Sequence, residues 1–276
     1  MLFRGDRLRF PKETKAEDAK VDPAKAFAAR CYGLLPTMRI TDVLSQVEHW
    51  TGFTSHFGHV STGLPPSDER GFHAALIAEA TNLGLSRMAE VCNVASRRAL
   101  IRMQTWHMTD ALRDRVVTPS LILKKLSAYR QQNSLAAALR EVGRIHRTLF
   151  TLRWFKDPAL RTLVTAELNK GEARNTLARA VALHRLGRFR DRGHENQQTR
   201  AAALNLVTAA IVLFNCRHLD RALASMRARG MIPDEALIAK LSPLGWDHIN
   251  LTGDYVWSDA LAFDHDGFMP LRAVPA

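Results

Sequence analysis

The sequence has no closely spaced cysteine pair. Its three cysteines, Cys31, Cys92 and Cys216, lie far apart, with no CxxC and no Cys/His metal spacing. That argues against a disulfide framework and against structural zinc, and it predicts free thiols in a reducing cytoplasm. There is no Gly-rich phosphate loop, no GxSxG and no HExxH, so nucleotide hydrolysis, acyl transfer and zinc-dependent proteolysis have no support. The N-terminal run MLFRGDRLRFPKETKAEDAK has neither the apolar core nor the small-residue cleavage site of a secretory signal. The only long apolar run, 201–216, is too short for a membrane span and carries Asn205, Thr208 and Asn215. It predicts a buried core helix and no membrane partner.

What is present is basic charge. The 276 residues are 46% hydrophobic and 24% charged, a globular composition with length for one large domain or two modest ones. Lys and Arg number 39 against 27 Asp and Glu, a formal +12 that favours a polyanionic partner. The excess is local: residues 116–230 hold 21 basic against 7 acidic side chains, leaving 18 against 20 elsewhere. The basic character therefore belongs to one segment.

The pattern is mostly helical. Residues 1–36 are polar and irregular, with a short strand at 7–10 and a helix from Pro23 to Tyr32. Thr41 or Asp42 is expected to cap a helix carrying Val43, Leu44, Val47 and Trp50 at helical spacing, ended by Thr51-Gly52. After the loop STGLPPS, a helix is expected over 68–83 with Gly84 as its cap, and one or two more within 86–115. Thr118-Pro119-Ser120 and Ser134 open two further helices. Asp157-Pro158 opens another, because a capping acid followed by Pro at the first helical position is a strong start. A helix is predicted from about Gly171 to Leu186, and a long one from Glu195 to Arg229, stopped by Gly230.

Two features on these helices bear on chemistry. Arg140, Arg144 and Arg147 recur at i, i+4 and i+7 and make a basic stripe that can track a phosphate backbone or simply be a solvated face. In Asn169-Lys170-Gly171-Glu172-Ala173-Arg174-Asn175, one carboxylate sits between cations at the expected start of a helix. It can hold a divalent metal while the cations touch phosphates, or it can merely complement the helix dipole and pair with Arg. Periodicity does not choose between these. The histidines, and the five tryptophans spread singly, read as structural or core residues.

The blocks LSAYRQQNSLAAALREVGRIHRTLFTLRWF, NKGEARNTLARAVALHRLGRFRDRGHENQ, LNLVTAAIVLFN and LSPLGWDHINLTGDYVW resemble the C-terminal part of Tn-three-family replicative transposases. LPTMRITDVLSQVEHWTGF and ATNLGLSRMAEVC, onward to Trp106-His107, resemble the segment before the catalytic domain of the same proteins. The resemblance implies a ribonuclease H-like DDE recombinase, in which two Asp and one Glu hold two Mg2+ ions for phosphodiester exchange. The Glu falls on Glu172. Lys170, Arg174, Asn175 and Arg179, with the stripe Arg140, Arg144 and Arg147, become candidates for contact with DNA.

The pattern departs from that family between Trp106-His107 and Val117-Thr118-Pro119, where the two aspartates and most of the central strands belong. Asp110 and Asp114 stand there instead, in an arginine-rich helical context. A lone glutamate cannot seat two dications, which need several carboxylate oxygens from different elements.

The expectation is a mainly α, multi-helical remnant of the catalytic domain lacking most of its sheet. It divides into a scaffold over 1–115 and a basic helical part over 116–276. Expected function is DNA binding without cleavage, and the Mg2+ of the family is not expected to bind productively. Two alternatives stand beside it: a strand-transfer enzyme completed by a partner chain or by Asp110 and Asp114, and a non-catalytic interaction protein that joins full-length transposase assemblies, or itself, and inhibits them, or else a folded relic with no activity.

Overall fold

The structure is a computed structural model and describes residues 2–4, 7–9, 22–108, 134–187, 193–231, 233–253, 255–259, 263–264 and 266–273. The expected break near Val116, the helix opened by Thr118-Pro119-Ser120, and Asp110 and Asp114 lie outside the described residues. A small antiparallel hairpin pairs β1 (Leu2–Arg4) with β2 (Arg7–Arg9). Helix α1 (Pro23–Gly33) follows, capped by the Asp22 carboxylate. Then come β3 (Met38–Arg39), α2 (Ile40–Thr51), α3 (Glu69–Ala80), α4 (Leu85–Val91) and α5 (Arg97–Met103), which runs into a π-helical turn over Gln104–Met108. The later part holds α6 (Ser134–Lys156), α7 (Pro158–Val181), α8 (His194–Ala228), α9 (Glu235–Ile238) and β4 (Ile249–Asn250). The fold is mainly helical, as the sequence implied.

Helix α3 is the centre. Every residue from Gly71 to Ala80 is buried, as expected of a helix enclosed on all sides. Its alanines, 74, 75, 78 and 80, let neighbouring backbones approach closely, and Ala203, Val207, Ile211 and Phe214 of α8 pack with it in one core that also takes in Val43, Leu44 and Val47 of α2. A second cluster joins Cys31, Leu34 and Leu35 to Leu219, Ala222, Leu223 and Met226 at the far end of α8. Helix α8 is long and apolar enough to cross a membrane by length and composition. Half of its most apolar stretch is buried within this fold, and it carries Asn215 and His218 into the core.

Several boundaries differ from the sequence pattern. Arg39, not Thr41 or Asp42, precedes α2, because β3 pairs in parallel with β4 and delivers the chain straight into the helix. Asp42 instead accepts the Arg39 backbone N–H at 3.2 Å. Helix α3 ends at Ala80 rather than Leu83, since Asn82 adopts a left-handed φ of 60° and Gly84 leads into α4. The helix expected to begin near Gly171 begins at Pro158 and runs through it. Asp157 accepts from the N–H groups of Ala159 and Leu160, and one internal glycine, at a cost of about 1 kcal/mol, does not interrupt 24 residues of otherwise favourable sequence. A 3-10 turn over His184–Gly187 takes the place of the predicted final turn.

The C-terminal segment returns to the N-terminal helices. Thr41 donates to the Val256 carbonyl at 3.1 Å, and Asn93 clasps the Trp257 backbone on both sides, at 3.0 and 3.1 Å. Asn215 donates its amide N–H groups to the carbonyls of Pro243 and Gly245, both at 2.7 Å, and its Oδ1 accepts from His248 Nε2 at 3.0 Å. His218 meets Gln46 at 3.1 Å. These histidines are structural: burial, aided by Arg221 for His218 and Arg272 for His248, lowers each pKa to about 4 and keeps both neutral.

Candidate nucleic-acid interface

Helices α6 and α7 are joined at Asp157, and apart from Asp110 and Asp114, which lie outside the described residues, they carry every residue singled out for DNA or metal. All described side chains of α6 from Ala137 to Arg153 are exposed, and α7 is exposed over most of its length until Leu177 and Val181 enter the core. Glu172 lies in the middle of α7, on the face opposite Leu177 and Val181. The dipole reading of Glu172 therefore fails, because that effect fades within the first turn and Glu172 is about 20 Å from the helix start. Asn175 and Arg179 share its solvent face, at i+3 and i+7.

Lys170 and Arg174 turn toward α8. Arg174 donates to Asn205 at 3.0 Å, and Lys170 pairs with Glu167 at 2.8 Å. Both line a groove of about 670 Å³ between α7 and α8, whose floor is Val212, Leu213 and Leu244. On α6, Arg144 pairs with Glu141 at 2.5 Å, while Arg140 and Arg147 have exposed guanidiniums with no recorded partner among the described residues. The stripe is therefore present, and it faces solvent. No hydrogen bond or ion pair among the described residues links it to the Glu172 face.

The fit of Glu172 to a metal pair is poor. No group of three His, Cys, Asp or Glu side chains capable of holding a metal occurs among the described residues, and the nearest acid along α7, Glu167, is engaged by Lys170. No catalytic step is derived through Mg2+.

Sequence reasoning missed a second basic site. Arg87 of α4, Arg97 of α5, Arg185 of the turn before α8 and Arg200 of α8 line one cleft of about 400 Å³. They are separated by up to 113 positions with no common period, so no local signal announces them.

The same basic, exposed arm on a helical core carries the NKGEARN block, and the class it defines is a DDE-type transposase domain fragment. Residues 42–112 and 110–255 match the Tn3 transposase DDE domain as two stretches that meet at 110–112; the chain belongs to that family. It is 29% identical to the transposase for transposon Tn2501 of Escherichia coli over 437 residues, covering 95% of this chain and 44% of that one. It is 54% identical over 168 residues to the transposase for transposon Tn3926 of Escherichia coli, and 54% identical over 165 residues to that for Tn501 of Pseudomonas aeruginosa. The chain spans less than half the length of these relatives, 17% in the last two.

Proposed function

We propose that this chain is a DNA-binding remnant of a Tn3-family transposase that has lost the interval bearing the two aspartates and so binds DNA without cutting it. In this reading residues 1–115 and 116–276 are the pieces on either side of the loss, sharing one core. The observation that carries it is the pairing with the Tn2501 relative: 437 aligned residues meet a chain of 276, so at least 161 positions of the relative have no counterpart here. The meeting of the two family matches at 110–112 supports placing the loss there. Glu172, exposed and part of no metal-holding group of three among the described residues, is then an orphan of the triad, set among Lys170, Arg174, Asn175 and Arg179.

The test is binding of duplex DNA carrying transposon ends, followed by fluorescence anisotropy across a salt series, with nicking assayed in Mg2+ and Mn2+. Expected is affinity that falls steeply with salt and no nicking. Nicking by the purified chain that Glu172→Gln abolishes overturns the reading.

A second reading, an interaction role, is favoured by α6 itself. Val142, Ile145, Leu149 and Leu152, spaced 3, 4 and 3, are 50%, 52%, 50% and 60% exposed, the seam spacing of a coiled coil. Arg140, Arg144 and Arg147 fall on the opposite side. With Leu139, Phe150, Phe155, Leu163 and Leu168 also about half exposed, the apolar surface is on the order of several hundred Å², approaching what one side of a stable interface buries. The occupant is α6 of a second copy: in a parallel pair Glu141 faces His146 and Thr148 faces Arg153, so no like charges meet. Sedimentation should show a dimer that Ile145→Asp with Leu149→Asp converts to monomer; a monomer at all concentrations in the unaltered chain rejects it.

A further inference from the structure

We infer that the cleft between α4, α5 and the N-terminal end of α8 is a second binding site for the DNA backbone, in which Arg87, Arg97 and Arg185 take phosphate oxygens. This rests on the chain's being a DNA binder but not on the residues of α6 and α7.

Three separate observations converge. The first is composition: among the described residues four arginines against one glutamate line the cleft, with Ser86, Gln104 and Asn196 as further polar groups. Glu79 is committed to the buried Arg200, 3.0 Å away, and Arg200 also donates to Asn82. This leaves the three exposed guanidiniums as the cleft's outward face. Arg87 has Glu90 at 3.2 Å, an exposed pair that is cheaply exchanged for a phosphate. Second, the arginines are aimed. Arg97 donates to the Ser86 hydroxyl at 2.8 Å, and a β-carbon placed on Gly84 would lie 3.7 Å from the Arg185 guanidinium, so Arg185 lies across that glycine.

The third is backbone strain. Arg185 has φ 55°, a left-handed conformation uncommon for a side chain with a β-carbon. It is held there because the His184 N–H donates to the Thr81 carbonyl at 3.1 Å and Asn82 donates to the His184 carbonyl at 3.2 Å. Backbone strain of this kind persists where the surroundings over-determine it, and it gathers at ligand clamps. Burial and the charge of Arg87 lower the pKa of neighbouring His184, in keeping with a positive field.

The ligand's chemistry follows from the lining. Planar guanidiniums make paired hydrogen bonds to phosphate oxygens. Among the described residues no aromatic side chain lines the cleft, so none of them offers a base a stacking surface. A backbone phosphodiester fits; a nucleobase does not.

The experiment uses the full chain and a 30-base-pair duplex, with anisotropy measured from 50 to 300 mM KCl. Arg97→Gln with Arg185→Gln should weaken binding about tenfold and reduce the log–log salt slope by about 2, with the thermal melt unchanged. Arg229→Gln, at the other end of α8 and ~44 Å along the helix from Arg200, should change neither. Unaltered affinity and slope in the double variant overturn the inference. So does a melt raised by inorganic phosphate only when Arg97 and Arg185 are present, if DNA affinity ignores them, because the cleft then takes the free anion. If removing the α6 stripe leaves binding intact while the cleft variants weaken it, the assignments on α6 and α7 fail and this one stands.

Discussion

The α2–α3–α8 core and the α6–α7 arm are both helical and both rich in leucine and alanine, yet they have opposite fates. In the core, apolar side chains meet from three helices, and the polar groups that enter with them find partners: His218 with Gln46, and Asn215 with two carbonyls and His248. On the arm the apolar positions of α6 are just as regular and stay half exposed. Amphipathic periodicity therefore specifies a helix and a face that wants covering, but not what covers it. On the proposed reading, in which the interval holding the central strands is lost, the exposed apolar face of α6 is the face left without its cover, while the α2–α3–α8 core is closed by its own helices.

The largest expected effect that would sharpen this contrast comes from truncating equivalent side chains in the two regions. Phe214→Ala, fully buried, should cost about 3–5 kcal/mol in urea unfolding, whereas Leu149→Ala on α6 should change monomer stability by less than about 0.5 kcal/mol. Equal losses would mean that the arm is packed as firmly as the core.

Acid should attack the core alone. His218 and His248 have folded pKa values lowered to about 4, below the ordinary 6.5. The unfolded chain therefore binds more protons between those values. Stability is complete above about pH 6.5 and falls as pH drops toward 4, by on the order of 2–4 kcal/mol per histidine. Unfolding midpoints from pH 7.5 to 4.5 should decline on that course and decline less in His218→Gln; a flat profile over that window counts against neutral burial.

The arm's charges should matter for DNA and not for folding. Replacing Arg140, Arg144 and Arg147 together by Gln should reduce the salt slope by up to about 3 and leave the urea midpoint in place. A shifted midpoint with unchanged DNA affinity would reverse the assignment. The smallest effect is Gly171→Ala. A β-carbon there meets nothing within 4 Å, so α7 should gain up to about 1 kcal/mol of helix propensity, read as slower amide exchange in α7 with the exchange of α3 unaltered.

Much of the helix layout was legible because its punctuation is local chemistry. Asp22 before Pro23, Gly52 with its left-handed φ of 59°, Asp157 before Pro158, and Gly230 each act within a turn of where they stand. Gly171 misled because a glycine ends a helix only when the flanking sequence also favours stopping, and here it does not. The start of α2 was set by a strand partner more than 200 residues away, which no local window contains. Glu172 and its neighbours were legible through the family blocks alone. The turning of Lys170 and Arg174 toward α8 depends on Asn205 and required the fold. The arginine cleft was illegible for the same reason as β3: its members meet only after α4, α5 and α8 pack.

The two-residue parallel ladder between Met38–Arg39 and Ile249–Asn250, reinforced by Asn93 on Trp257, also orders events in time. Closing it links positions more than 200 residues apart, so the entropy of a very long loop must be overcome before those contacts repay it. During synthesis, the helices that build α2 and α3 emerge from the ribosome well before their stitching partner exists. Their apolar sides stay bare until α8 has emerged to pack on them, and the ladder itself can close only after translation has passed Trp257.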